Sequence, residues 1–148
     1  MTPLAMLVRA PIDVLALVEA ASAPANGAVL LFLGAVRQVN EGRSVTGIDY
    51  AAYEAMALRE LRAIVDEAAG RFETPDIRVV HRLGELGVEE VSVAIAVAHP
   101  HRDGAYAASR WVIEELKRRV PIWKREHYAD GTREWVDPAG QPSAERVP

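Results

Sequence analysis

Cysteine is absent from all 148 residues. That excludes a disulfide, a cysteine-ligated zinc and an iron–sulfur cluster. A cytoplasmic setting is the expectation. Residues 2–10 lack the basic start and apolar core of a secretory leader. The longest apolar stretch, residues 28–36, is interrupted by Gly34 and is far too short to cross a bilayer. The phosphate-loop spacing GxxxxGK[ST] does not occur, and no internal repeat or low-complexity tract stands out. Nor does positive charge dominate. A formal charge of −4 makes the chain a poor general ligand for nucleic acid. Any bound anion must be held by a local basic cluster.

What is present is an ordinary globular balance. Half the residues are apolar, 26% are charged, and mean hydropathy is +0.00. This length suits one domain with its own core. Residues 4–9 read as a first strand. Pro11 is placed in the first turn of a helix whose apolar face is Val14, Leu15, Leu17 and Val18. Residues 28–36 read as a buried strand, residues 37–44 as a polar loop, and residues 46–52 as a second central strand. Met56, Leu61, Ile64, Val65, Ala68 and Phe72 recur at helical spacing. Two strands follow, at 77–82 and 91–98, joined by a turn around Gly84 and Gly87. Val91, Val93, Ile95 and Val97 alternate with small residues, the pattern of a strand with one crowded face. Asp103 is placed as the cap of a helix running to Arg119, which Pro121 ends. Residues 122–128 and 132–136 form a hairpin about Asp130-Gly131. The sum is an α+β domain over residues 1–137, with helices on one side of a mostly antiparallel sheet. Residues 138–148 are expected to be a polar, mobile tail.

The stretch most suited to chemistry is KRRVPIWKRE, residues 117–126. Five cations stand within residues 117–125 with no acid among them, so the remainder of the chain carries −9. Ser109, Ile113 and Lys117 share one helix face, while Arg118 and Arg119 project elsewhere. A lysine at the edge of an apolar stripe is partly desolvated, which lowers its pKa. Lys124 pushes it the same way if the chain reverses after Pro121. Such a lysine serves as acid–base or nucleophile; equally, its stem lies on apolar surface and its head stays in water. Trp123 offers a flat wall for a planar ligand or an ordinary core aromatic. Residues 99–103, His-Pro-His-Arg-Asp, place Arg102 and free amides where a helix begins, a setting for an anion or for a plain polar loop. Two histidines without a carboxylate pattern argue against a metal. Arg37 follows a strand and heads a polar loop with Asn40, Gly42 and Arg43. His81-Arg82 ends another strand, where polar side chains usually meet water. Three basic patches at element ends suit a small anion with a phosphate and a planar ring.

These stretches closely resemble the molybdopterin synthase large-subunit (MoaE) family. The matching segments are FLGAVR at 32–37, NEGR at 40–43, Tyr53 with Met56-Ala57, HRLGEL at 81–86, HRDGAY at 101–106, LKRRVPIWKRE at 116–126 and DGTREWV at 130–136. The resemblance covers about residues 4–136. It implies an α/β-hammerhead type of α+β fold. It implies a sulfurtransferase that builds the dithiolene of molybdopterin on cyclic pyranopterin monophosphate. The sulfur comes as a thiocarboxylate on the C-terminal Gly-Gly of a small ubiquitin-like carrier, so the enzyme needs no cysteine and no bound cofactor. It implies a homodimer of large subunits, each with one carrier, as a heterotetramer. Carried over residue by residue, it makes Lys117 and Lys124 the reaction centre and Arg37 a substrate-anion contact. His101 and Arg102 become a pair reaching a neighbouring subunit's pocket, and Arg125 and Glu126 flank the second lysine at the substrate. Ala51 stands where many members have Glu, and Glu89 where Gly is common. The rival classes are a non-catalytic module that binds an anion or a partner's C-terminal tail, and a ligand-free dimer scaffold. Only the enzyme requires a lysine of lowered pKa.

Overall fold

The computed structural model describes residues 4–142 and 147–148. The expectations for Thr2 and for residues 143–146 of the tail lie outside the described residues. Twelve elements follow one another: β1 (Leu4–Val8), α1 (Val14–Ala21), β2 (Ala28–Ala35), β3 (Val39–Asn40), β4 (Arg43–Ala52), α2 (Glu54–Arg71), β5 (Ile77–Arg82), β6 (Gly84–Gly87), β7 (Val91–His99), α3 (Arg102–Arg119), β8 (Ile122–Tyr128) and β9 (Arg133–Val136). They build two sheets. The first runs β1-β5-β7-β2 and the second β3-β4-β8-β9, with β6 pairing residues 47–50 of β4 on the edge away from β8. All pairings are antiparallel except β1 with β5. The α+β class read from the sequence therefore holds.

The alternation in β7 organises the first sheet. Val93, Ile95 and Val97 face α2 and α3 and form the main core with Leu61, Ile64 and Val112. Ala94, Ala96 and Ala98 face the other way, and their small side chains let α1 settle there through Leu17 and Ala21. Helices thus cover both faces of this sheet, not one. The α1 helix starts at Val14, with the Asp13 carboxylate accepting from the Ala16 amide, so Pro11 lies ahead of the helix rather than in its first turn. Asp103 likewise is not the cap of α3; His101 holds that position and Asp103 lies in the first turn.

Three further expectations are corrected. Residues 28–36 are not a buried strand: β2 is the sheet edge and leaves Val29, Phe32 and Leu33 exposed. The polar loop after it is largely a hairpin in which Asn40 pairs Arg43. Glu41 and Gly42 between them both have positive φ, 50° and 78°, as a two-residue turn of this hand requires. The turn between β5 and β7 holds a strand, β6, which crosses to the second sheet at the buried Leu83. Glu89, the departure from Gly in the resembling family, has φ 75°, a region where glycine is at ease and a Cβ is strained.

Candidate active site

Lys117 lies in the last turn of α3, and Pro121 ends the helix just beyond it. The chain then reverses into β8, which pairs antiparallel with β4 and sets Lys124 across from Tyr50. Side chains alternate along β8, so Lys124 and Glu126 share the face of Tyr50 and Ile48. Together they line a cavity of about 200 Å³ with Phe32, Arg37 and Asn40. A second cavity, about 230 Å³, shares the two lysines. His81, Tyr50 and Asp137–Gly140 wall it. Lys117, Lys124 and Tyr50 line both spaces. The expected tail therefore begins by closing over this site, held by the Gly140 amide on the Asp137 carbonyl and the Asp137 amide on the Gln141 carbonyl.

The electrostatics follow from these positions. Lys117 is reachable through the cavities, yet the protein around it displaces enough water to lower its pKa. The Lys124 charge adds to that effect. Glu126 is buried and accepts from both sides. Asn40 Nδ2 lies 2.9 and 2.8 Å from its two oxygens, and the Tyr128 hydroxyl donates at 2.5 Å. The Lys124 ammonium stands 3.9 Å from the same carboxylate. Burial and the bond to Glu126 push the Tyr128 phenol up to about 12. Burial likewise raises Tyr50, whose ring lines both cavities. The wall is thus two cations, one fixed carboxylate and two aromatic faces, suited to gripping a planar anion. Among the described residues no group of three or more His, Asp or Glu could hold a metal.

The family described as MoaE protein matches residues 7–119. The chain belongs to the MoaE family. It is 46% identical over 114 residues to the molybdopterin synthase catalytic subunit of Culex quinquefasciatus, covering 75% of this chain and 73% of that protein. The corresponding subunit of Neosartorya fischeri is 43% identical over 117 residues, 79% of this chain. There the chain spans only 62% of the relative's length. The crystal structure of molybdopterin synthase from Staphylococcus aureus superposes with a TM-score of 0.82 at 36% identity, over 87% of this chain and 93% of that one.

The fold brings four of the seven residues named from the MoaE resemblance to one cavity: Arg37, Lys117, Lys124 and Glu126. The other three lie elsewhere. Arg125 alternates to the opposite face of β8. There its guanidinium donates to Asp49 at 2.8 and 2.6 Å and lies over Trp135. His101 and Arg102 line a separate hollow with Gly27, Pro100 and Asp103. His99 is a latch behind them. Its Nε2 donates to the Phe72 carbonyl and its Nδ1 accepts the His101 amide. Arg118 and Arg119 project away from the cavities as expected, onto Glu115, Glu60 and Glu67.

Some of the lining was not foreseen. Trp123 is a packing residue, set edge-on to Tyr53, and lines neither cavity. Phe32 and Tyr50 supply the flat walls instead. His81 does not meet bulk water at its strand end; it is 1% exposed because β5 passes straight into β6 at the junction of the sheets. A signal for the lysines stood in the composition. Of 17 basic residues, lysine occurs only at 117 and 124, and the rest are arginine. Arginine stays charged wherever it is placed, whereas burial readily shifts a lysine. Both shiftable cations are spent on one cavity wall.

Proposed function

We propose that the chain is the sulfur-transferring subunit of a molybdopterin synthase. It acts on cyclic pyranopterin monophosphate with sulfur from the C-terminal thiocarboxylate of a small ubiquitin-like carrier. The observation that carries this reading is the pair of lysines shared by both cavities. Two ammonium groups, one of lowered pKa, line two adjoining cavities at once, with Tyr50 as the third shared residue. Membership of the MoaE family and the name of the relatives, a catalytic subunit, support it.

In this reading the pterin ring lies in the cavity of Phe32 and Tyr50, with its phosphate toward Arg37. The carrier's tail arrives through the second cavity, so the acyl carbon meets the ring at the lysines. The thiocarboxylate sulfur attacks an oxygen-bearing ring carbon, and the carbon–oxygen bond there breaks as the oxygen leaves protonated. Water then cleaves the carbon–sulfur bond to the acyl group, and the carrier departs as an ordinary carboxylate. Lys117 stabilises the oxyanion that forms as that bond breaks, or takes the proton from the water. Lys124 holds the substrate anion and depresses the pKa of Lys117. Glu126, fixed by Asn40 and Tyr128, holds Lys124 in place.

The exposed edge of β2 supports self-association. Val29, Phe32 and Leu33 lie along an open strand beside the exposed Tyr106, and such an apolar edge invites pairing. The resemblance has His101 and Arg102 of a second copy reach a neighbouring cavity, and an edge-paired dimer is the arrangement in which that would be sought. The test of function is direct. The chain, mixed with cyclic pyranopterin monophosphate and thiocarboxylated carrier, forms dithiolene product, and Lys117→Ala loses it by about a hundredfold or more. Product at the parent rate from Lys117→Ala ends this reading.

A further inference from the structure

His81 is almost wholly enclosed, yet its ring forms part of the second cavity's wall beside Lys117 and Lys124. Its Nδ1 lies 2.9 Å from the Arg82 carbonyl oxygen. A carbonyl only accepts, so Nδ1 carries the proton and Nε2 keeps its lone pair. The Tyr50 ring meets the imidazole nearly edge-on, with centroids 5.3 Å apart, and restrains its rotation. Burial pushes the imidazole down to about 4 against the Arg82 hydrogen bond, with Lys117 adding to the effect, so the ring is neutral near pH 7. Nothing in the sulfur-transfer reading uses this nitrogen.

We propose that His81 is a positioning residue whose Nε2 accepts an N–H of the Lys117 ammonium across the second cavity and so sets where that ammonium points. The proposal rests on Lys117 being the reactive group. The other groups that line this cavity beside Lys117 differ in what they offer it. Lys124, from β8, is a cation and has no lone pair to offer while charged. The Tyr50 phenol, from β4, keeps its proton, and its oxygen is a weaker base than an imidazole nitrogen. Asp137, from the segment after β9, accepts the Gln141 amide on Oδ1 at 2.8 Å and keeps acceptor capacity on its other oxygen, so the His81 variants are read in an Asp137→Asn background as well. A neutral acceptor on the rigid strand beneath is what a half-desolvated ammonium needs.

Because the chain has two lysines, ε-13C-lysine labelling gives two side-chain signals, and Lys124→Arg assigns them. The titration of Lys117 is then followed in the parent, in His81→Asn and in His81→Gln. Asparagine keeps a donor for the Arg82 carbonyl but ends short of the Nε2 position. Glutamine carries an amide oxygen to that position and gives up the Arg82 bond. An acceptor role predicts that His81→Asn lowers the Lys117 midpoint further, by about one pH unit, while His81→Gln keeps it near the parent. A merely structural role predicts the reverse order, and that result, or an unchanged midpoint in His81→Asn, overturns the proposal. If neither variant folds, 15N spectra of the parent decide. The His81 Nε2 signal moves as Lys117 loses its charge, and a signal that stays still overturns the proposal. Both readings are taken without substrate, so their failure is separate from failure of the Lys117→Ala turnover test.

Discussion

Asn40 and Glu126 lie 86 positions apart in the chain, yet the Asn40 amide nitrogen bridges both oxygens of the Glu126 carboxylate. The β3–β4 hairpin is thereby tied to β8 at the lysine wall. Removing the amide leaves a buried carboxylate one donor short, which costs about 1–3 kcal/mol. Asn40→Ala is expected to lower the urea midpoint accordingly. Asn40→Asp is expected to lower it more at pH 7, because two carboxylates then face each other. Equilibrium unfolding by circular dichroism measures both.

The lowered pKa of Lys117 has two causes, and burial is the larger. Lys124→Met removes the smaller one. The Lys117 midpoint is therefore expected to rise but to stay below the ordinary lysine value of 10.5. The sign also fixes a pH dependence of stability. Between the folded midpoint and the unfolded one, the unfolded chain holds a proton that the folded chain lacks, so this group's contribution grows as pH rises through that window. Side-chain 13C titration of the folded protein reads the midpoints.

Arg37 and Arg125 separate binding from stability. Arg37 lines the first cavity, whereas Arg125 lies on Asp49 behind the strand. Arg37→Ala is expected to raise KM for the pterin monophosphate about tenfold or more, with the thermal midpoint little changed. Arg125→Ala is expected to leave KM within about twofold and to cost about 1–2 kcal/mol of stability. Burial alone would raise the Asp49 carboxyl, and hydrogen bonds from His127 and Arg125 more than offset it. Steady-state kinetics with thermal unfolding distinguishes the two variants.

Glu89 keeps a positive φ on an exposed turn. Its side chain makes no contact that offsets the strain among the described residues. Glu89→Gly is expected to stabilise the fold by about 0.5–1 kcal/mol, with turnover unchanged. A drop in the unfolding midpoint would show that the turn is not strained.

The sequence was most informative where one periodicity decided the outcome. The Val–Ala alternation of β7 and the helical spacing in α2 and α3 led to the main core. The spacing from Ser109 to Lys117 put that lysine on a half-apolar face, and Pro121 implied the reversal that brings Lys124 near. What stayed hidden depended on pairing between distant segments. No local pattern shows that β6 leaves the first sheet for β4, so the burial of His81 at the junction was not foreseen. Arg125 was carried to the substrate by the family resemblance, as a flank of the second lysine. The strand pleat turns it to Asp49 instead. The same alternation settles Trp123 as the core aromatic, the second of the two readings its residue type allowed.

The restriction of lysine to residues 117 and 124 also governs side reactions. An activated acyl group is open to capture by any nearby primary amine, giving a dead-end amide link between carrier and enzyme. Guanidinium groups are far poorer nucleophiles. With arginine everywhere else, a carrier that docks askew meets no side-chain amine on the outer surface. Under the proposed function, adventitious acylation of side chains is confined to the two amines that the reaction itself needs.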